Sequence, residues 1–141
     1  MVKKGFVLCL MCSFIFSQDK LFLKQADTLT SSTTTSETIT KLDGNIIFQK
    51  TDTILKGSFA NQSNQNSIIN LYGDVSVEQP NQTIYCDSLS YDSNTEFFSM
   101  YGHIKIKNGS RLISADKATL DQTSNQIILL ENCEINEQNN N

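Results

Sequence analysis

Four segments of this chain align at a constant spacing of 29 residues. Their marker positions are Gly44, Gly73, Gly102 and Glu131, the last standing where a fourth glycine is due. A fixed period of this length indicates one structural unit that is stacked several times. The function of a stacked chain lies in the surface or the cavity that the stack creates.

Apolar side chains occupy every second position on both sides of the central markers Gly73 and Gly102. Around Gly102 they are Phe98, Met100, Ile104 and Ile106. This alternation predicts strands with one buried face, so we expect an all-β chain. A glycine at the middle of such a strand permits a sharp bend or a close backbone approach.

The second segment of each repeat shows the same alternation with one interruption. The inward positions slip by one residue at Asp87-Ser88 and again at Asp116-Lys117, and a bulge or a bend is needed to keep one face inward. Short stretches rich in turn-forming residues separate the segments, as at 79–82 and 92–95. We therefore expect about 3.5 stacked repeats, each made of two long, bent strands joined by antiparallel hairpins.

The residues before the first marker fit the same scheme. Residues 26–30 (Ala-Asp-Thr-Leu-Thr) parallel residues 86–90 (Cys-Asp-Ser-Leu-Ser). The Ser/Thr-rich run from Thr30 to Thr40 has the composition of a flexible linker, but this parallel favours an elongated hairpin.

The N-terminus has the residue order of a secretory signal. Lys3 and Lys4 precede an apolar run from Gly5 to Phe16, and the chain turns polar at Ser17, as in a cleaved export signal. The apolar run of about 12 residues is short for a bilayer span, which needs about 20. A retained membrane anchor is the alternative.

These signals divide the chain into three parts. We expect a signal peptide at 1–17, one folded domain at 18–135 and a disordered polar tail at 136–141. An exported chain enters an oxidising environment, in which disulfides can form. Cys9 and Cys12 fall inside the signal peptide, whereas Cys86 and Cys133 occupy inward apolar columns of different repeats, so we expect two buried, free thiols.

The charge of the domain argues against one class of partner. The chain has a net charge of −4, and residues 1–17 contain two lysines and no acidic residue, which leaves nine basic and fifteen acidic residues and a net charge of −6. Nucleic-acid binding depends on a basic face. We expect no nucleic-acid partner.

Candidate catalytic groups are few. The single histidine, His103, falls in an outward column beside a marker glycine, where an exposed imidazole is expected. Asp87 and Asp92 recur as Asp116 and Asp121 in the next repeat. A catalytic pair occurs once, whereas a residue that bends or ends each strand must recur. We therefore expect no catalytic residue, no metal site, no cofactor and no enzymatic activity.

The repeat resembles the OstA-like family. The phrase Gly-x-Val-x-Val is followed by segments such as Tyr85-Cys-Asp-Ser-Leu-Ser-Tyr-Asp92 and Ser114-Ala-Asp-Lys-Ala-Thr-Leu-Asp121, then by a turn and a strand that returns to glycine. The resemblance extends from about Leu21 to Ile135. Two departures, Ser58 in place of aspartate and Glu131 in place of glycine, concern the bends of the first and last repeats.

The resemblance implies a V-shaped β-jellyroll, open along one side, with an apolar interior that holds the acyl chains of lipopolysaccharide. Small residues such as Gly57, Ala60 and Ala118 in the inward columns leave room for a trough, but the same columns also fit a closed, packed sandwich. The candidates for the lipid-binding walls are Ile46, Phe48, Val75, Val77, Ile84, Leu89, Tyr91, Phe98, Met100, Ile104, Ile106, Ile113, Leu120, Ile127 and Leu129.

The function that the resemblance implies is that of a periplasmic carrier or bridge. Such a protein moves lipopolysaccharide from the inner to the outer membrane, binds the acyl chains of its lipid A, and pairs by exposed strand edges with itself or with other jellyroll proteins of the pathway. Two alternatives stay open: a membrane-anchored partner in the same pathway, and a secreted structural or carbohydrate-adhesive repeat protein. The recurring aspartates argue against a third, an aspartate-based polysaccharide hydrolase.

Overall fold

The computed structural model describes residues 20–138, which form ten strands and no helix. The expected signal peptide and residues 139–141 of the expected tail lie outside the described residues. The strands are Phe22–Gln25 (β1), Thr28–Thr33 (β2), Thr38–Lys50 (β3), Thr53–Ser63 (β4), Ile68–Gln79 (β5), Gln82–Asp92 (β6), Phe97–Asn108 (β7), Arg111–Asp121 (β8), Gln126–Leu130 (β9) and Glu134–Glu137 (β10).

The strands form one open, antiparallel sheet. β3 to β8 pair in chain order as a meander, β1 and β2 both pair with β3, and β9 and β10 both pair with β8. The hairpins fall where turn-forming residues cluster: Gln79 pairs with Gln82 across Pro80-Asn81. Thr33 likewise pairs with Thr38, so the Ser/Thr-rich run forms the expected hairpin. The expected all-β, antiparallel fold is confirmed.

The three strands that contain a marker glycine, β3, β5 and β7, bend at that position. Gly44, Gly73 and Gly102 have φ of +78°, +75° and +79°, and the residue after each one is also left-handed. Between the paired residues on either side of Gly102, the register of β7 shifts against that of β8. This is a β-bulge, and it absorbs the slip in facing that the alternation predicted. At the fourth bend Glu131 adopts φ +64° without being a glycine.

The bends divide the sheet into two halves. Half I contains β2, β9 and the strand segments 38–43, 59–63, 68–72, 88–92, 97–101 and 117–121. Half II contains β1, β10 and the segments 46–50, 53–57, 75–79, 82–86, 104–108 and 111–115. Inward side chains from both halves form a single apolar cluster, so the sheet folds back on itself around one interior.

The last repeat departs from the expected burial. Cys86 is buried as expected, but Cys133 is exposed, so the prediction of two buried thiols is wrong for Cys133. Ile135, from an inward column, is 68% exposed. Both residues lie at or next to β10, an edge strand that pairs only with β8 among residues 20–138. β10 also includes Asn136 and Glu137, so the sheet extends two residues past the expected boundary at 135.

Candidate ligand-binding interior

The recurring aspartates hold the bends by hydrogen bonds. Asp87 Oδ2 lies 2.7 Å from Nδ1 of His103, the residue that follows Gly102. The same contact joins Asn45 Nδ2 to Asp27 Oδ2 at 2.8 Å and Asn132 Nδ2 to Asp116 Oδ2 at 2.6 Å. One aspartate at each of these bends therefore positions the side chain of the bulge, and this structural role accounts for the recurrence.

The second set of aspartates ends strands. Asp92 Oδ1 accepts a hydrogen bond from the Ser67 hydroxyl at 2.6 Å and another from the Asn94 backbone at 2.9 Å, and these bonds lower the pKa of the carboxyl. Asp121 accepts hydrogen bonds from Ser124 and Thr123 in the next hairpin, again with a lowered pKa. These carboxylates bind the backbone of their own turns, as Asp does at turn positions.

His103 lies on the outside, as expected, with 87% of its side chain exposed. The hydrogen bond to Asp87 and the charge of that carboxylate raise the pKa of the imidazole. Its partner is the aspartate of the same bend. Among residues 20–138 no group of three or more His, Cys, Asp or Glu side chains is arranged to hold a metal ion.

The fifteen candidate wall residues all lie in or against the common core. Twelve are buried, and Ile113, Ile127 and Leu129 are partly buried and pack against them. In the central repeats the walls meet each other closely: Val77, Ile84 and Phe98 have no exposed surface. The inward columns predicted from the sequence thus form one apolar interior. The central part of that interior is filled by its own side chains.

The space beside Gly57 is filled by a neighbouring side chain. A Cβ placed on Gly57 would lie 2.6 Å from the Leu71 side chain, which belongs to the other half of the sheet. The room made by Gly57 is therefore occupied by Leu71. Tyr91 and Phe98 also fill space by packing their rings at a centroid distance of 4.6 Å.

A cleft opens at the N-terminal end of the interior. It has a volume of about 460 Å³, a size typical of ligand pockets. Its lining combines apolar and polar side chains, and comprises Lys20, Leu21, Leu23, Phe48, Gln62, Ile69, Tyr91, Ser93, Asn94 and Glu96. A second space of about 190 Å³ shares Leu23, Phe48, Gln62 and Ile69 with it. We call these adjoining spaces the N-terminal cleft.

Polar contacts cross the open side of the interior next to this cleft. Lys50, at the end of β3 in half II, forms an ion pair with Glu96 in the β6–β7 turn of half I. Burial of the amine lowers its pKa, but the hydrogen bond to Glu96 and the neighbouring Tyr91 hydroxyl outweigh this effect, and the pKa of Lys50 is raised. The Gln122 amide donates a hydrogen bond to Thr53 Oγ1 at 3.1 Å across the same gap.

Sequence reasoning missed the residues that form the mouth of the interior. Leu21 and Leu23 precede the first full repeat, so no column of the repeat includes them. Lys50 and Glu96 stand at strand ends and turns, where the repeat is variable. One signal of the mouth was present in the sequence. Lys50 is basic, whereas the equivalent positions of the following repeats carry the neutral residues Gln79 and Asn108.

Comparison with known proteins identifies the architecture. The sequence model of the family described as OstA-like protein matches residues 18–141. The chain is also similar to the crystal structure of LptH, described as the LptA homologous periplasmic component of the conserved lipopolysaccharide transport device from Pseudomonas aeruginosa. The TM-score is 0.69 at 13% sequence identity, over 85% of this chain and 96% of that chain. No curated protein matches the sequence.

At 13% identity the structural likeness shows the fold. The open, antiparallel jellyroll implied by the resemblance is therefore confirmed. Residues 20–138 contain no helix that is long and apolar enough to cross a membrane.

Proposed function

The chain belongs to the OstA-like protein family, and we propose that it is a periplasmic carrier or bridge that binds lipopolysaccharide by the acyl chains of its lipid A. The protein has no enzymatic role in this proposal, and it uses neither a metal nor a cofactor. It hands the lipid from the inner towards the outer membrane.

The observation that carries the proposal is the continuity of the N-terminal cleft with the apolar interior. Phe48, Ile69 and Tyr91 line the cleft and are also members of the core cluster. Tyr91 packs against Phe98 and so connects the cleft to the central repeats. An apolar chain that enters the cleft therefore meets a surface that leads into the interior.

Energetics favour the acyl chains over the sugars as the recognised part. Burying each methylene group contributes about 0.8 kcal/mol, so a few methylenes outweigh a solvent-exposed polar contact, which contributes about 1 kcal/mol or less. We expect binding to depend on the lipid part and hardly on the polysaccharide.

Site-specific photo-crosslinking in cells tests the proposal. A photoreactive side chain at Leu23, 37% exposed in the cleft, or at Ile69 in the cleft wall should capture lipopolysaccharide. Lys105, exposed on the outer face of β7, is the matched control and should capture none. Fully buried walls such as Ile104 are poor first choices, because a bulky group there overpacks the core. A folded protein that captures no lipid at either cleft position would refute the proposal.

Partners in a bridge would pair with the sheet edges. β1 and β2 leave one edge of the sheet open, and β9 and β10 leave the other. Exposed edges accept an added strand, so the proposal includes head-to-tail pairing with another copy or with other jellyroll proteins of the transport device.

Export with cleavage near Ser17 is part of the same proposal. Intact-mass measurement of the protein from the periplasm should give a chain that begins near Gln18. A chain that retains Met1 to Ser17 in the inner membrane would instead identify an LptC-like, membrane-anchored partner of the pathway.

A further inference from the structure

We propose that the Lys50–Glu96 ion pair and the Thr53–Gln122 hydrogen bond form a latch across the mouth of the interior, and that acyl chains enter by releasing it. This inference rests on the proposed function, because it concerns how the same interior is reached. It assigns a role in lipid admission to four residues that lie outside the apolar columns of the repeat.

The latch joins parts of the sheet that are not neighbours. Lys50 and Thr53 flank the β3–β4 turn of half II. Glu96 and Gln122 stand in the β6–β7 and β8–β9 turns of half I. The pairing ladder of β3 runs to β1, β2 and β4, so these side-chain contacts tie the tips of the two halves directly to each other. A hydrogen bond of 3.4 Å from Thr123 Oγ1 to Glu96 links the two turns of half I.

Lys50 and Glu96 are less costly to separate together than to leave singly without a partner. The Lys50 side chain is 9% exposed, whereas Glu96 is 38% exposed. Burying an ion pair costs hydration on both sides, and much of the attraction only compensates for that cost. When the tips separate, both charges regain water together. Removal of a single partner is different, because it leaves the other charge without compensation.

The second contact is incompletely satisfied. The Gln122 amide nitrogen donates to Thr53, but its oxygen Oε1 is buried without a hydrogen-bond partner within residues 20–138. A buried acceptor with no partner is destabilising, and exposure to water removes that penalty. The polar groups of both latch contacts therefore gain water when the latch opens. Apolar side chains in the same place would instead lose burial.

Because side chains fill the centre of the interior, a lipid can enter it only if the two halves move apart. Several central wall residues, among them Val77 and Phe98, have no exposed surface, and the N-terminal cleft of about 460 Å³ has the volume of a small-molecule pocket. A lipid with several acyl chains needs more space, which arises when the halves move apart. Glu96 and Tyr91 line the cleft, and the hydroxyl of Tyr91 interacts with Lys50. The latch is thus the boundary that a chain already seated in the cleft would cross.

Variants of the latch test the inference. Lys50→Met keeps the apolar stem and removes the charge, and Glu96→Gln removes the opposite charge. Each full-chain variant is mixed with a neutral, apolar naphthylamine dye whose fluorescence rises on burial. We expect the dye to enter about tenfold faster than in the wild type, equivalent to about 1.4 kcal/mol in the barrier. Lys50→Arg, which keeps the pair, should restore the wild-type rate.

A second ion pair provides the matched control. Lys56 on β4 donates a hydrogen bond to Glu78 on the adjacent strand β5 at 2.6 Å, and both residues lie in half II. Lys56→Met removes the same type of pair without touching the mouth, and it should leave the dye rate unchanged. Thermal melts establish which variants are folded. Lys50→Met and Glu96→Gln act from opposite sides, so either one that folds serves the test.

Measuring the uptake of lipopolysaccharide by the same variants then tests the latch and the proposed function separately. Faster uptake of both dye and lipopolysaccharide by the latch variants supports both. Faster uptake of the dye, with no binding of lipopolysaccharide by any form, retains the latch and refutes the carrier function. A folded latch variant that admits the dye at the wild-type rate, or no faster than Lys56→Met, overturns the latch.

Discussion

At the scale of single residues, the bend is built from one glycine, one aspartate and the side chain that follows the glycine. A Cβ placed on Gly102 would overlap Asp87 Oδ2 and would lie 3.0 Å from Asp87 Cβ. The side chain after the glycine then forms a hydrogen bond with the aspartate of its bend, as His103 does with Asp87 and Asn45 with Asp27. Glycine is needed at this position for its left-handed backbone and also because the aspartate occupies the space of a side chain.

Alanine substitutions separate these two requirements. Gly102→Ala should destabilise the fold by about 2 to 3 kcal/mol, because it adds backbone strain of about 1 to 2 kcal/mol to the clash with Asp87. Gly109 also has a positive φ, +59°, but a Cβ placed on it would have nothing within 4 Å. Gly109→Ala should therefore cost less, about 1 to 2 kcal/mol, which is the backbone strain alone. Urea unfolding measures both; equal losses would contradict a role for the Asp87 contact.

His103 makes one bend sensitive to pH. Its pKa is raised by the hydrogen bond to Asp87, so the added stability is fully present below the unfolded pKa of about 6.5. It is lost as the pH rises through the raised pKa of the folded state. Asp116 and Lys105 are the other charges that act on this imidazole. We expect the wild-type melting temperature to fall over this range for this reason.

Asparagine at position 103 is the control that the chain itself supplies. Asn45 and Asn132 make the equivalent hydrogen bonds at other bends, so His103→Asn should keep the bond and lose the titration. The difference in melting temperature between wild type and variant should shrink from about pH 5 to about pH 8, the range in which histidine changes charge. A constant difference would show that the imidazole charge contributes nothing to the bend.

At the scale of strands, alternation decides which side chains carry the stability of the fold. Phe97 and Phe98 are adjacent in β7, yet Phe98 has no exposed surface and Phe97 is half-buried on the opposite face. Phe98→Ala should destabilise the protein by about 3 to 5 kcal/mol, the usual cost of removing a buried phenyl ring. Phe97→Ala should cost much less. Equal losses in a denaturant titration would contradict the facing that the pattern predicts.

The strand pattern could be predicted from the sequence because each strand pairs with the next strand in the chain. Alternation, bends and hairpins depend on local residues, so Cys86 and Ala118 were placed inside correctly. Cys133 and Ile135 carry the same inward pattern but stand at the edge of the sheet, where no other strand of the described part of the chain covers them. An inward column is buried only if a further strand packs over it, and periodicity alone does not encode that strand.

At the scale of the whole molecule, the closure of the interior was not readable from the repeat. It depends on contacts between distant turns, as where Lys50 meets Glu96 46 residues away in sequence. The N-terminal cleft likewise uses Leu21 and Leu23, which precede the first full repeat. The walls of the candidate site were predictable as inward columns, whereas its mouth arises from the crossing of the two halves and needed the structure.

Binding to the folded interior has a consequence for stability that tests the complete proposal. A ligand that binds only the folded state at 100 times its Kd stabilises that state by about 2.7 kcal/mol. For a domain of this size such a gain raises the melting temperature by roughly 10 °C. Lipopolysaccharide should produce this shift. Polysaccharide freed of its acyl chains should produce none, because the walls that would bind, such as Phe48 and Ile69, are apolar. An equal shift from the deacylated polysaccharide would place recognition on the outer surface and exclude an interior that holds lipid.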